Sequence, residues 1–165
     1  MWLMWALPFT QSLPSRVLGR TCSLPSLTCR NDKDRDRAIS PTSLAVEKGH
    51  EGVVKALLAT GKVNADSKDG DSGETPLWRA AANGYEGVVE ALLAIDKVNA
   101  DSKGRNGETP LWRAVANGQE RVVEALLATG KVDVNLRDWD SSRTPLTQAA
   151  MNGHKGVIKV LKQHT

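Results

Sequence analysis

The sequence predicts an all-α protein, a solenoid of stacked helix-turn-helix units with polar hairpin loops projecting between them. Three observations carry that expectation. One segment recurs almost unchanged, residues 73–93 reading GETPLWRAAANGYEGVVEALL and residues 107–127 reading GETPLWRAVANGQERVVEALL. A Thr-Pro-Leu triplet begins at Thr75, Thr109 and Thr144, spacings of 34 and 35 residues. Each copy then carries Val-Val and Leu-Leu-type pairs at helical spacing, an apolar stripe that a single short unit cannot bury. Units of this length bury such stripes by stacking on one another.

In chain order, residues 1–39 lack the repeat and are expected to form a disordered N-terminal extension. Their opening run, MWLMWALPF, has no positive charge beyond the N-terminus and no small-residue cleavage site close behind it, so a secretory signal is not expected. Pro8, Pro14 and Pro25 interrupt the continuous amphipathic helix that a mitochondrial presequence needs. The expected location is therefore the cytoplasm or the nucleus. Residues 40–165 divide into four units, 40–62, 63–97, 98–131 and 132–165. The first, SPTSLAVEKGHEGVVKALL from Ser40, is degenerate, and residues 33–39 match the later linkers poorly.

Each unit has a physical reading. Thr before Pro suits a helix whose cap is the Thr hydroxyl and whose first residue is the Pro. In the second unit this predicts a helix over 76–83, ended by Gly84 in the left-handed conformation that glycine adopts cheaply. A second helix over 86–94 follows, with Val88, Val89, Leu92 and Leu93 on its apolar stripe and Glu86 and Glu90 on the wet side. The linker after it, rich in Asp, Asn, Lys and Gly, is too polar for a core strand and suits a hairpin or loop.

Composition excludes several classes of function. No stretch approaches the roughly 20 apolar residues of a membrane span. The formal charge of +3 resides in the first 40 residues, where six basic side chains meet three acidic ones, and the remainder nets zero. No nucleic-acid footprint is therefore expected in the array. Cys22 and Cys29, the only cysteines, have no second pair to complete a zinc site. Asp32, Asp34 and Asp36 alternate as in a calcium loop, but Arg37 stands where glycine is required and Ser43 where the closing Glu belongs. His50 and His154 occupy a repeated position held elsewhere by Tyr85 and Gln119, so a ligand role is not expected. Gly61-Lys62 and Gly130-Lys131 lack the following Ser or Thr of a phosphate loop. Glu51, Glu86 and Glu120 share one helix-start position, where an acid suits the dipole. No cofactor, metal or catalytic group is implied, and the chain is expected not to be an enzyme.

Gly-x-Thr-Pro-Leu, then Ala-Ala, Gly, Val-Val and Leu-Leu at this spacing resembles the ankyrin repeat over about three quarters of the chain, from Ser40 onward. The 34-residue unit, lengthened in segments such as GKVDVN, is similar to ankyrin arrays of filamentous fungi. The resemblance usually brings a His after Thr-Pro-Leu whose ring ties repeats together; Ser43, Trp78, Trp112 and Thr147 stand there instead. Thr42 replaces the Leu of the other copies, at a cost on the order of 2 kcal/mol, so the first repeat is expected to be the loosest. Trp78 and Trp112 are read as filling space between neighbouring helices, whereas Trp139, flanked by Asp138 and Asp140, is read as an exposed contact.

The resemblance implies a monomeric scaffold that binds a protein partner through its concave side. Carried over position by position, it selects Asp71, Ser72, Glu74, Ala82 and Asn83 in the second repeat and Arg105, Asn106, Glu108, Ala116 and Asn117 in the third. In the fourth it selects Trp139, Asp140, Arg143, Met151 and Asn152. One first-helix position varies as Leu44, Arg79, Arg113 and Gln148, as a contact position would. Arg79 and Arg113 either meet a partner's acids or pair with Glu74 and Glu108 of their own repeats. The alternative class is the recognition end of a larger NTPase or signalling effector whose catalytic domain is absent from this chain, as the asymmetry between a degenerate first repeat and a lysine-rich last helix would suit.

Overall fold

The computed structural model describes residues 40–70 and 72–164. The expected extension lies outside the described residues. Within them, eight helices form four pairs: α1 (Pro41–Glu47) with α2 (Glu51–Ala59), α3 (Pro76–Asn83) with α4 (Glu86–Leu93), α5 (Pro110–Ala116) with α6 (Glu120–Ala128), and α7 (Pro145–Asn152) with α8 (Lys155–Gln163). Each pair packs on the next, first helices α1, α3, α5 and α7 in one layer and second helices α2, α4, α6 and α8 in the other. The expected solenoid is what the chain forms.

Local chemistry sets the helix starts. Ser40, Thr75, Thr109 and Thr144 each accept, on the side-chain oxygen, the amide of the residue three on, with a Pro opening every first helix. Such a cap typically contributes about 1 kcal/mol. The turn into the second helix needs a left-handed residue, and Gly84 and Gly118 supply it at φ 78° and 72°. Space also demands glycine there. The Gln119 side chain lies across Gly84 and the His154 ring across Gly118, where a Cβ would collide. The second helices have no side-chain cap of their own.

The core is the run of aliphatic stripes. Leu77 and Leu111 from the first layer, and Val88, Val89, Leu92, Val122, Val123 and Leu126 from the second, are all sealed from water. Each such side chain contributes about 1.5–3 kcal/mol through burial. Leu93, expected on the stripe, is only partly buried at its edge. Among the described residues the linkers form no strand. They close instead on isolated backbone bonds, Asp69 N to Glu74 O at 2.9 Å, Gly104 N to Glu108 O at 3.0 Å and Asp138 N to Arg143 O at 3.3 Å, with Gly73 N to Asp69 O and Gly107 N to Gly104 O inside the first two.

Polar groups also lock the joints between repeats. Trp78 is buried against Gly104, and its Nε1 donates to Glu108 O of the next repeat at 3.1 Å. The tryptophan standing where the family carries His thus bonds across this joint. Trp112 is buried in the same manner, but its Nε1 has no partner among the described residues. Asp66 accepts the Asn99 amide at 2.9 Å and Asp101 the Asp133 amide at 3.1 Å. Asn117 Nδ2 donates to Ala82 O at 2.7 Å, and Asn152 Nδ2 to Ala116 O at 2.8 Å. At the first joint Arg79 meets Glu47 across the repeats at 3.4 Å.

The substituted first repeat carries its defect inside. Thr42 is fully buried and its hydroxyl has no partner among the described residues. Thr42→Val keeps the shape and removes that hydroxyl, so it is expected to stabilise the protein by about 1 kcal/mol in urea unfolding. Trp78→Phe and Trp112→Phe lose the same ring, but only the first loses a hydrogen bond. Trp78→Phe is therefore expected to cost about 1 kcal/mol more than Trp112→Phe in the same measurement.

Candidate interaction surface

The loop of the fourth repeat is built around a buried carboxylate. Asp138 accepts the Ser141 hydroxyl at 2.6 Å, the Ser141 amide at 3.1 Å and the Arg143 amide at 2.7 Å. Burial by itself raises its pKa, but these donors outweigh burial and hold the carboxyl below the usual aspartate range. The turn they close carries Ser142 at φ 53°, the one non-glycine residue with positive φ among those described. It leaves Trp139 and Asp140 projecting into solvent.

Trp139 is 63% exposed, yet it is held in place. Its amide donates to Asn106 O of the preceding loop at 3.0 Å. Its indole lies on Gly107, where a Cβ would run into the ring. Lys103 Nζ stands 5.8 Å from the ring centroid, an attractive cation–π geometry. The neighbouring tips are joined likewise, Arg105 N donating to Ser72 O at 3.1 Å. Arg105 and Asn106 are exposed beside Trp139, whereas Asp71 lies outside the described residues.

The variable position of the first helices behaves differently from copy to copy. Arg79 is engaged inward, 2.8 Å from Asp69, 3.0 Å from Glu74 and 3.4 Å from Glu47. Burial lowers its pKa, but hydrogen bonds to Glu74 and Asp69 outweigh that and raise it. Arg113 stacks 5.2 Å from the Trp78 ring centroid, with Glu108 at 3.6 Å. Burial raises the Glu108 pKa, with Arg113 opposing and Asp138, Asp140 and Glu74 adding to the rise. Gln148 accepts from Arg143 at 3.5 Å and donates to Asn152 at 3.3 Å. Leu44 and Met151 are largely exposed.

Each arginine thus meets the Glu of its own repeat, Arg79 with Glu74 and Arg113 with Glu108, and Arg79 also reaches Glu47 of the first repeat. Asn117 and Asn152, selected as concave positions, spend their amides on the joints. Sequence reasoning missed Lys103 and Asp138. An Asp six residues before the cap, at both Asp69 and Asp138, was the available signal.

A family model described as ankyrin repeats in three copies matches residues 19–102 and 94–165. The chain belongs to the ankyrin-repeat family. No match is found among curated proteins. Ankyrin repeats in general mediate protein–protein interaction, and their fold is typically non-catalytic. Among the described residues of this ankyrin array no group of three His, Cys, Asp or Glu is placed to hold a metal ion, and no helix is long and apolar enough to cross a membrane.

The Asp138 cradle has a measurable pH signature. A carboxyl whose folded pKa is depressed stabilises the fold above its unfolded value, near 3.8, and loses that contribution as pH falls through the folded value. At neutral pH the native array is expected to exceed Asp138→Asn in stability by about 1–3 kcal/mol. Urea unfolding at stepped pH checks it: the gap should hold from neutrality down to the unfolded pKa and then shrink.

Proposed function

We propose that this ankyrin array is a non-catalytic scaffold that binds a protein partner through its loop tips and first-helix face, centred on the third and fourth repeats. The observation that carries the reading is Trp139. A large aromatic ring 63% open to water, fixed by its own amide and by the glycine beneath it, offers contact area with little conformational entropy left to lose. Interfaces draw much of their energy from such aromatic anchors surrounded by polar residues. Arg105, Asn106 and Asp140 supply that polar surround, with Arg143, Gln148 and exposed Met151 continuing the face along α7.

The two arginines contribute unequally. Arg79 is neutralised by three acids of its own array, so its role is to stiffen the second repeat. Arg113, more open and with a single acid beside it, retains charge for a partner's carboxylate.

Affinity capture from lysate with the full chain and with Trp139→Ala tests the reading. Exposed side chains contribute little to folding, so the variant is expected to melt within about 0.5 kcal/mol of the parent. A partner held by the parent should be released by the variant, with a loss of at least about tenfold in affinity. Equal retention of every captured protein by both baits would remove Trp139 as an anchor and this reading with it.

A further inference from the structure

The first-helix face carries an acid–base motif, and the fourth repeat breaks it. The residue before the capping Thr is Glu74 in the second repeat, Glu108 in the third and Arg143 in the fourth. Five residues further on stand Arg79, Arg113 and Gln148. Arg79 lies 3.0 Å from Glu74, and Arg113 lies 3.6 Å from Glu108, so each charge is met inside its own repeat. In the fourth repeat the cation stands in the acid's place, and a neutral amide stands in the cation's.

Arg143 is half-buried. Its backbone amide bonds Asp138, but its guanidinium meets the neutral Gln148 Oε1 at 3.5 Å. No carboxylate among the described residues forms an ion pair with it. Asp138 is spent on its own loop, and Gln148 gives its amide hydrogen to Asn152. A guanidinium fork held by one long contact to a neutral oxygen has donors left for a carboxylate. Apolar surface accompanies this cation. Trp139, in the same loop, is 63% exposed, and Met151 is 60% exposed. Met151 replaces the Ala82 and Ala116 of the middle repeats and lies one turn beyond Gln148 on α7.

We propose that Arg143 determines the specificity of this surface, and that the partner segment carries an aspartate or glutamate flanked by bulky apolar side chains. The inference rests on the reading of Trp139 as an anchor. The partner's carboxylate takes the Arg143 guanidinium as Glu74 and Glu108 take Arg79 and Arg113, and it displaces the weak Gln148 contact. Its apolar neighbours cover Trp139 and Met151. A single carboxylate suits the site better than a phosphate chain, because exposed Asp140 shares the loop and repels a run of negative charge.

Panning a random peptide library displayed on phage against the full chain tests this. The parent is expected to enrich peptides with one Asp or Glu beside Leu, Phe or Trp. Arg143→Glu combined with Gln148→Arg copies the Glu–Arg pair of the second and third repeats, so it should melt like the parent while losing that enrichment. Arg143→Gln alone should lose it too, which keeps the test intact if the double variant folds poorly. For a selected peptide, changing its acid to the amide should cost about tenfold in affinity for the parent and leave the variant's weaker binding unchanged. Peptides without acid enrichment, or held equally by parent and variants, would overturn the inference; if Trp139→Ala still releases them, the anchor reading stands. A parent that retains no peptide above the blank support would overturn both. Single-stranded DNA held by the parent and released by the variants would also overturn the inference, by assigning the arginine to a phosphate.

Discussion

The described helices are seven to nine residues long, below the length at which an isolated helix persists in water, so each forms only because a neighbour covers its aliphatic stripe. That mutual cover is the constraint from which the other features follow. It leaves the first-helix layer free to vary where no neighbour presses on it. It also makes the joint, rather than the repeat, the unit whose chemistry decides stability.

The joints are not equivalent. Between the second and third repeats an indole bond, a hydroxyl pair of Thr75 and Ser102, a carboxylate-to-amide bond and an asparagine bridge coincide. Between the third and fourth, the indole donor is orphaned, but Trp139 on Gly107 and His154 against Ala116 O add contacts of another kind. At the first joint Arg79 meets Glu47 and a tyrosine lies over Gly49. Such a gradient gives an array whose ends and centre open with different free energies.

The helices and their caps were legible in the sequence because their causes are local. Thr before Pro and Gly at a fixed offset fix dihedrals whatever surrounds them, and the observed α3 matches its expected span residue for residue. The candidate surface was less legible. Exposure of Trp139 could be read from its polar neighbours, but the glycine and lysine that hold it belong to the previous repeat. Arg79 resembled a free cation because Asp69, ten residues earlier, comes into range only when the loop folds back. Asn117 and Asn152 resembled contact residues for the same reason, since their acceptors lie 35 and 36 residues away.

The near identity of the second and third repeats raises a question of registry. Two copies that share GETPLWRA offer almost the same aliphatic surface, so burial alone would tolerate an assembly that skips one of them. The Trp78 joint discriminates. Its ring edge lies close against Gly104, and its N–H donates to Glu108 O. Stacked directly on the fourth repeat, Trp78 would take the place of Trp112, whose N–H finds no acceptor. One indole hydrogen bond thus favours the native order of two nearly interchangeable modules.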